Sequence, residues 1–173
     1  FESAYDKLDL YVLFIEKGVK LVGNNGIVTF ITPWNFLGNL YSFKIRKFIL
    51  DNTKIKYFCK LSPKTFNNII VDNIIFLLEK SVEGKDNLIT FDDILDPNKK
   101  VLVKQRQYLE NPKYVFSMPS DDISNGIIEK MKVDSLNLGS IALNYIGIMT
   151  GGQKSMISNS PIFHNSKQVL SGK

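Results

Sequence analysis

Two runs of apolar, β-favouring residues constrain this chain more than anything else in it: Ile27-Val28-Thr29-Phe30-Ile31-Thr32, and the stretch from Val71 to Leu78 that contains Ile74-Ile75-Phe76-Leu77-Leu78. A strand with one face in water alternates apolar and polar residues at period two, whereas a strand covered on both faces need not. Continuous runs of this length therefore call for a sheet packed under helices, and the first suits a parallel strand buried on both sides.

The flanking segments supply the helices. Asp9 to Val22 places Leu10, Phe14 and Leu21 on one face at helical spacing with Leu13 alongside, and Glu16, Lys17 and Lys20 on the other. Gly23-Asn24-Asn25-Gly26 stops that helix, because Gly and Asn tolerate the left-handed cap conformation. Pro33 ends the first apolar run. A second helix is expected from about Leu40 to Asp51, with Leu37, Tyr41, Ile45 and Phe48 in register, and a strand from about Ile55 to Leu61. Ser62-Pro63 breaks that strand, and the interval from Ser62 to Ile70 suits a hairpin better than a helical crossover. This is one edge of an α/β sheet finishing in an antiparallel pair, and such an edge cannot cover both of its faces alone.

From Glu79 the character changes. Ser81 to Asp86 reads as a polar turn, Leu88 to Phe91 as a short strand, and Asp92 to Lys100 as turn-rich. Ser120-Asp121-Asp122 caps a helix reaching about Met131, and Leu138 to Lys173 carries many Gly, Ser and Asn with short β-like pieces. The expected organisation is a domain segment over 1–80, a connection over 81–137 and the start of a mainly β unit over 138–173.

Composition narrows the chemistry. With 44% hydrophobic and 23% charged residues, the 173-residue chain has a globular profile, with no run long enough for a membrane helix and no secretory signal. The single Cys59 makes no internal disulfide and points to reducing cytoplasm. The net charge of +5, from 22 Lys+Arg against 17 Asp+Glu, is compatible with phosphate contact, but Lys-, Asn- and Ile-rich usage is also what an AT-rich genome produces. One histidine, His164, leaves no His-based metal cluster and no imidazole triad, so no metal site is expected. What remains is chemistry by aromatic rings, amides, backbone groups or a cofactor.

The order DLYVLFIEKG, a Gly turn, GIVTFITPWNFL, YSFKIRKFILDN and TFNNIIVDNIIFLLEK resembles adenine-N6 DNA methyltransferases. The match is to the arrangement in which a recognition domain follows the catalytic one, as in type II restriction–modification enzymes. The resemblance continues through KQRQYLENPKYVFS into LGSIALNYIGIMTGGQK, which looks like the start of that family's target-recognition domain, and reaches VLSGK at the end. It implies the C-terminal half of a Rossmann-like methyltransferase sheet, S-adenosylmethionine as methyl donor and double-stranded DNA as substrate. The family's glycine-rich cofactor loop and its Asn/Asp-Pro-Pro-Tyr/Phe motif precede the helix with which this chain begins. Neither is in the sequence. Gly23 to Gly26 follows a helix rather than a strand, the wrong side for a cofactor cradle. Asn111-Pro112-Lys113-Tyr114 has Lys in place of the second proline and lies beyond the hairpin, so it is rejected as catalytic. No catalytic residue is therefore assigned, this stretch alone is expected to be inactive, and its partner would be the missing N-terminal half or a restriction subunit.

The resemblance implies a role for Phe66. An aromatic residue in the turn before the family's last strand pair stacks on the flipped target adenine, and stacking restores about 1–3 kcal/mol per base. A hydrophobic plug closing the hairpin is the other reading. Phe14 sits where the family has a group against the cofactor's adenine, though an ordinary core residue fits the same position. Pro33, Trp34 and Asn35 follow a strand at its C-terminal end, where open α/β sheets place ligands, and line a cofactor or base pocket unless they only cap the next helix. Lys44, Arg46 and Lys47 on the second helix, and Thr150, Gln153 and Lys154 downstream, are candidate DNA contacts, against the plain reading of a solvated charged face. Tyr145 and Ser155 are of similar type. The competing class is a DNA-specificity module without catalysis.

Overall fold

The computed structural model describes residues 1–6, 8–66, 71–81, 86–96, 100–118 and 122–143. Helix α1 (Leu10–Leu21) leads through a Gly-Asn-Asn-Gly turn into strand β1 (Ile27–Pro33). Asn25 takes φ 60°, and a Cβ on Gly26 would stand 2.8 Å from the Gly23 carbonyl, so the second glycine is sterically required. Short 3-10 turns at Trp34–Leu37 and Leu40–Ser42 lead to α2 (Phe43–Asn52), and Asn39 caps the second by accepting from the Ser42 amide at 2.8 Å. Strands β2 (Thr53–Lys60), β3 (Asn73–Lys80), β4 (Leu88–Asp93) and β5 (Val101–Lys104) complete a five-stranded sheet ordered β1-β3-β2-β4-β5.

The β2–β3 pair is antiparallel, as the short interval between them requires. β3 is also antiparallel to β1, so among the described residues β1 has no parallel neighbour. β4 lies parallel to β2, and β5 returns antiparallel to β4, so the sheet continues beyond Lys80.

Strand register sets the core. Phe30 opposes Phe76, Phe76 opposes Phe58 and Phe58 opposes Phe91, which lines four phenylalanines in one row across four strands. Centroids of the outer pairs are 6.0 and 5.1 Å apart, within the range where ring pairs attract. Phe36 packs on Phe76 at 5.6 Å and Phe116 on Phe58 at 5.9 Å, roofing the row. Phe36, Phe58, Phe76 and Phe116 are each at most 1% exposed, and burying such a ring stabilises by about 1.5–3 kcal/mol.

Two expectations change here. The core face of α1 is Val12, Ile15 and Val19, not the Leu10–Phe14–Leu21 stripe, whose members are 72%, 62% and 71% exposed. Gly18 decides the orientation: a Cβ there would meet Val28 and Phe30 at 3.2 Å, so the helix lies on β1 through its glycine side. Glu16, expected in solvent, is fully buried on that side. β1 itself is covered on one face only, since Ile27 and Ile31 are 49% and 52% exposed while Val28 and Thr32 are buried. Among the described residues, the helix packed on this strand is α1, which lies against Val28 and Phe30, so an unalternated run ends up half open.

The β2 strand shifts register between Ile55 and Tyr57, and Gln105 repairs the irregularity. Fully buried, its side chain accepts from the Ile55 amide at 2.8 Å and donates to the Thr53 carbonyl at 2.8 Å. Beyond it, α3 (Gln107–Glu110) and a 3-10 turn at Pro112–Tyr114 bring the chain back over the phenylalanine row at Phe116.

The chain divides into compact units at Phe1–Asp122 and Ile123–Lys173. In the second, α4 (Asp122–Lys132) matches the helix expected to reach about Met131, and α5 (Leu138–Ile141) is a single turn. Among the described residues no helix is long and apolar enough to cross a membrane, and no cluster of three His, Cys, Asp or Glu is arranged to hold a metal.

Candidate functional site

Because β1, β2 and β4 run one way and β3 the other, the C-terminal ends of the first three meet the N-terminal end of β3 at one edge of the sheet. Pro33, Trp34, Lys60, Phe66 and Asp72 gather there. The Trp34 amide donates to the Asp72 carbonyl at 3.1 Å, and the Leu61 amide to the Asn73 carbonyl at 2.9 Å, closing the edge. The Gly23–Gly26 turn lies at the opposite end, where the Asn25 amide donates to the Lys80 carbonyl at 2.9 Å.

The turn before Phe66 is ordered by its own sequence. The Thr65 amide and hydroxyl both donate to the Ser62 carbonyl, at 3.0 and 2.7 Å, and the Lys64 amide donates to the Ser62 hydroxyl at 3.2 Å. Ser and Thr stabilise such turns through these local bonds. Phe66 emerges from it 41% exposed. Lys60, at the end of β2, holds its ammonium 4.9 Å from the Trp34 ring centroid, a cation–π contact.

Behind Trp34 a cavity of about 420 Å³ opens between two walls, one at Trp34–Asn39 and one at Val115–Met118. Arg46 ties the walls together. Its guanidinium donates to the carbonyls of Phe36 at 2.6 Å and Asn39 at 2.9 Å on one side, and to that of Lys113 at 3.0 and 3.2 Å on the other. Burial lowers this group to about 10, which still leaves it charged at neutral pH. Lys113 and Tyr114 both take left-handed backbone, φ 52° and 58°, which directs the Lys113 carbonyl towards Arg46. The Phe116 amide donates to the Leu37 carbonyl at 2.9 Å, and the Tyr108 hydroxyl to the Ser117 carbonyl at 3.0 Å.

The sequence-derived candidates separate accordingly. Pro33, Trp34, Asn35 and Phe66 share one sheet end. Phe14 does not: it lies on the outer face of α1, 62% exposed and away from the cavity walls. Arg46 is removed from the DNA-contacting set, because it is fully buried and its donors are engaged by main-chain carbonyls. Lys44 remains near the surface over the Tyr5 ring at 5.2 Å, and Lys47 pairs with Asp51 at 2.8 Å. Thr150, Gln153 and Lys154, with Tyr145 and Ser155, lie outside the described residues. Asn111–Tyr114 is a turn that supplies the Lys113 carbonyl as an acceptor to Arg46.

Three structural roles went unseen in the sequence. Gln105 reaches β2 and Arg46 reaches Lys113 across more than 50 residues, with no local signal. Glu16 accepts from the amides of Glu2 and Ser3, the Ser3 hydroxyl and Lys20, and so pins the N-terminal segment onto α1. Its interruption of the Val12–Ile15–Val19 face was the one available clue.

Residues 1–66 match the family model of the Eco57I restriction-modification methylase. Over 163 residues, 92% of the chain, the sequence is 31% identical to the type II restriction enzyme and methyltransferase RM.Eco57I of Escherichia coli, covering 15% of that protein. It is 39% identical over 61 residues to the type II methyltransferase M.BstVI of Geobacillus stearothermophilus, covering 35% of this chain and 11% of that protein. Among solved structures, the type IIG restriction endonuclease BpuSI superposes with a TM-score of 0.52 at 19% identity, over 66% of this chain and 16% of that one, which shows a shared fold. The chain thus spans under a sixth of the length of the curated relatives it matches.

Proposed function

Since the chain belongs to the type II restriction–modification methyltransferases, we propose that it forms the target-base side of an adenine-N6 DNA methyltransferase that uses S-adenosylmethionine and double-stranded DNA. Residues 1–80 with the strands that extend their sheet are the C-terminal half of the catalytic domain, and residues 138–173 start the target-recognition domain.

The observation that carries this reading is the Ser62–Thr65 turn, which presents Phe66 at the sheet end shared with Trp34 and Lys60. A base rotated out of a duplex loses its stacking partners, and an exposed ring held by an ordered turn replaces one of them. Lys60, over the Trp34 ring, supplies positive charge for the backbone around it. The described residues do not form a cradle for S-adenosylmethionine: Phe14 faces outward, and the glycine turn lies at the far end of the sheet. This chain's part is to receive and orient the base, while the methyl donor is held by other residues of the family's domain.

Methyl transfer from labelled S-adenosylmethionine to DNA by the complete enzyme tests the reading. Label should appear on adenine N6. Phe66→Ala should lower kcat/KM by about 5- to 150-fold, the rate equivalent of one lost stack, while Phe66→Trp retains activity. An unchanged Phe66→Ala rate returns Phe66 to the role of hairpin plug.

A further inference from the structure

The cavity behind Trp34 has features of a binding site that stacking on Phe66 does not use. Its walls come from segments far apart in sequence, Trp34, Leu37, Gly38 and Asn39 on one side and Phe116 and Met118 on the other. They are joined by buried Arg46 and by the Phe116–Leu37 backbone bond, and Tyr108 grips the Ser117 carbonyl. A charged group buried solely to bridge carbonyls is costly, and here it fixes the two walls relative to each other. The volume of about 420 Å³ falls within the range of small-ligand pockets, roughly 300–1,000 Å³.

We infer that this cavity receives a second nucleobase, one other than the base on Phe66, as a planar heteroaromatic ring between the indole of Trp34 and the Val115–Met118 wall. The inference rests on the DNA-methyltransferase reading above. Three observations select the occupant. The walls offer an indole and apolar side chains to a flat ring, which every base has. Asn35 and Ser117, both exposed, line the same opening and carry a carboxamide and a hydroxyl, groups of the kind that pair with the donor and acceptor edge of a base. Lys60 lies over the indole at 4.9 Å, so a cation stands beside one wall of the cavity, and a nucleotide carries a phosphate that a nearby cation favours. A base held here is unpaired as well, so the DNA is opened over more than the target nucleotide.

Trp34 is the only tryptophan, so its emission reports on this cavity alone. The chain would be titrated with deoxyadenosine monophosphate, exciting at the red edge of the tryptophan band, with deoxyribose 5-phosphate and S-adenosylmethionine in parallel. The pocket-filling variant is Gly38→Leu. Gly38 is part of the lining, its φ is −132°, and a Cβ there meets nothing within 4 Å, so bulk is added at the cavity's edge without strain. Saturable quenching by the nucleotide, half-complete at about millimolar concentration, is expected, with at least a tenfold weaker response in Gly38→Leu.

An equal response to the sugar phosphate, an unchanged Gly38→Leu titration, or no quenching would overturn the inference. Tighter, Gly38→Leu-sensitive binding of S-adenosylmethionine would overturn it in favour of the cofactor. Thermal melting of Gly38→Leu checks that the fold is intact; if it is not, Met118→Phe fills the cavity from the other wall. Duplex DNA binding across a salt series reads the parent proposal separately. DNA binding that survives with Trp34 unresponsive sinks only the second-base site.

Discussion

Replacing Arg46 with methionine keeps most of the side-chain volume and removes every donor. Three main-chain carbonyls then lose their partner. That of Phe36 sits in a fully buried residue and would bear the full cost of an unsatisfied acceptor, about 1–3 kcal/mol. Those of Asn39 and Lys113 are part-buried and water can reach them, so each loses only the net worth of a hydrogen bond, about 0.5–1.5 kcal/mol. Relief from burying a charge offsets part of the sum, leaving an expected loss of roughly 2–4 kcal/mol. Urea unfolding followed by far-UV circular dichroism measures it as a fall in midpoint at constant slope. Trp34 emission, followed in the same titration, should already be red-shifted in the native variant, because one wall of its cavity is no longer held. Arg46→Lys, with one donating nitrogen where the guanidinium has three, should fall between. A methionine variant within about 0.5 kcal/mol of the parent, with unshifted emission, would refute the argument that Arg46 fixes the cavity.

Glu16 predicts an acid response. Burial pushes its carboxyl up, but Lys20, the Ser3 hydroxyl and the Ser3 and Glu2 amides outweigh that and hold it at about 2, below the ordinary 4.5. A carboxyl depressed by folding contributes stability above its unfolded value that is lost as pH falls through the folded one. Stability should therefore drop between about pH 4.5 and 2, and Glu16→Gln should cost on the order of 2–3 kcal/mol at neutral pH while flattening that window in a urea–pH series. Gln105→Leu leaves the Ile55 amide and the Thr53 carbonyl unpaired at the β2 irregularity and should cost about 2–4 kcal/mol, with hydrogen exchange rising first in β4 and β5.

What the sequence disclosed and what it hid divide along one line: the reach of the interactions. The Ile27–Thr32 and Ile74–Leu78 runs announced strands, and the short interval after Ser62-Pro63 announced an antiparallel pair, because each depends on neighbours along the chain. The buried face of α1 was misread because both of its sides are apolar. The choice between Leu10–Phe14–Leu21 and Val12–Ile15–Val19 is made by contact with β1, where only the absent side chain of Gly18 admits Val28 and Phe30. Arg46 looked like one member of a surface cluster with Lys44 and Lys47. Its destination depends on a carbonyl at Lys113, aimed by two left-handed residues that nothing at Arg46 foreshadows. Around the candidate site, the place of Trp34 just after a strand was legible, whereas the second cavity wall at Val115–Met118 was not, since it returns from beyond β5.

That returning wall bears on where this protein can be cut and joined. Exchanging segments between related proteins needs a splice point that leaves the five-stranded sheet and its packing undisturbed. A junction soon after Lys80, where the composition changes, would carry away the plug at Gln105, the roof at Phe116 and the acceptor for Arg46. A junction placed after Met118 keeps all three with the sheet they serve. The compact unit that holds the sheet therefore runs about forty residues past the change in composition at Lys80, through Met118.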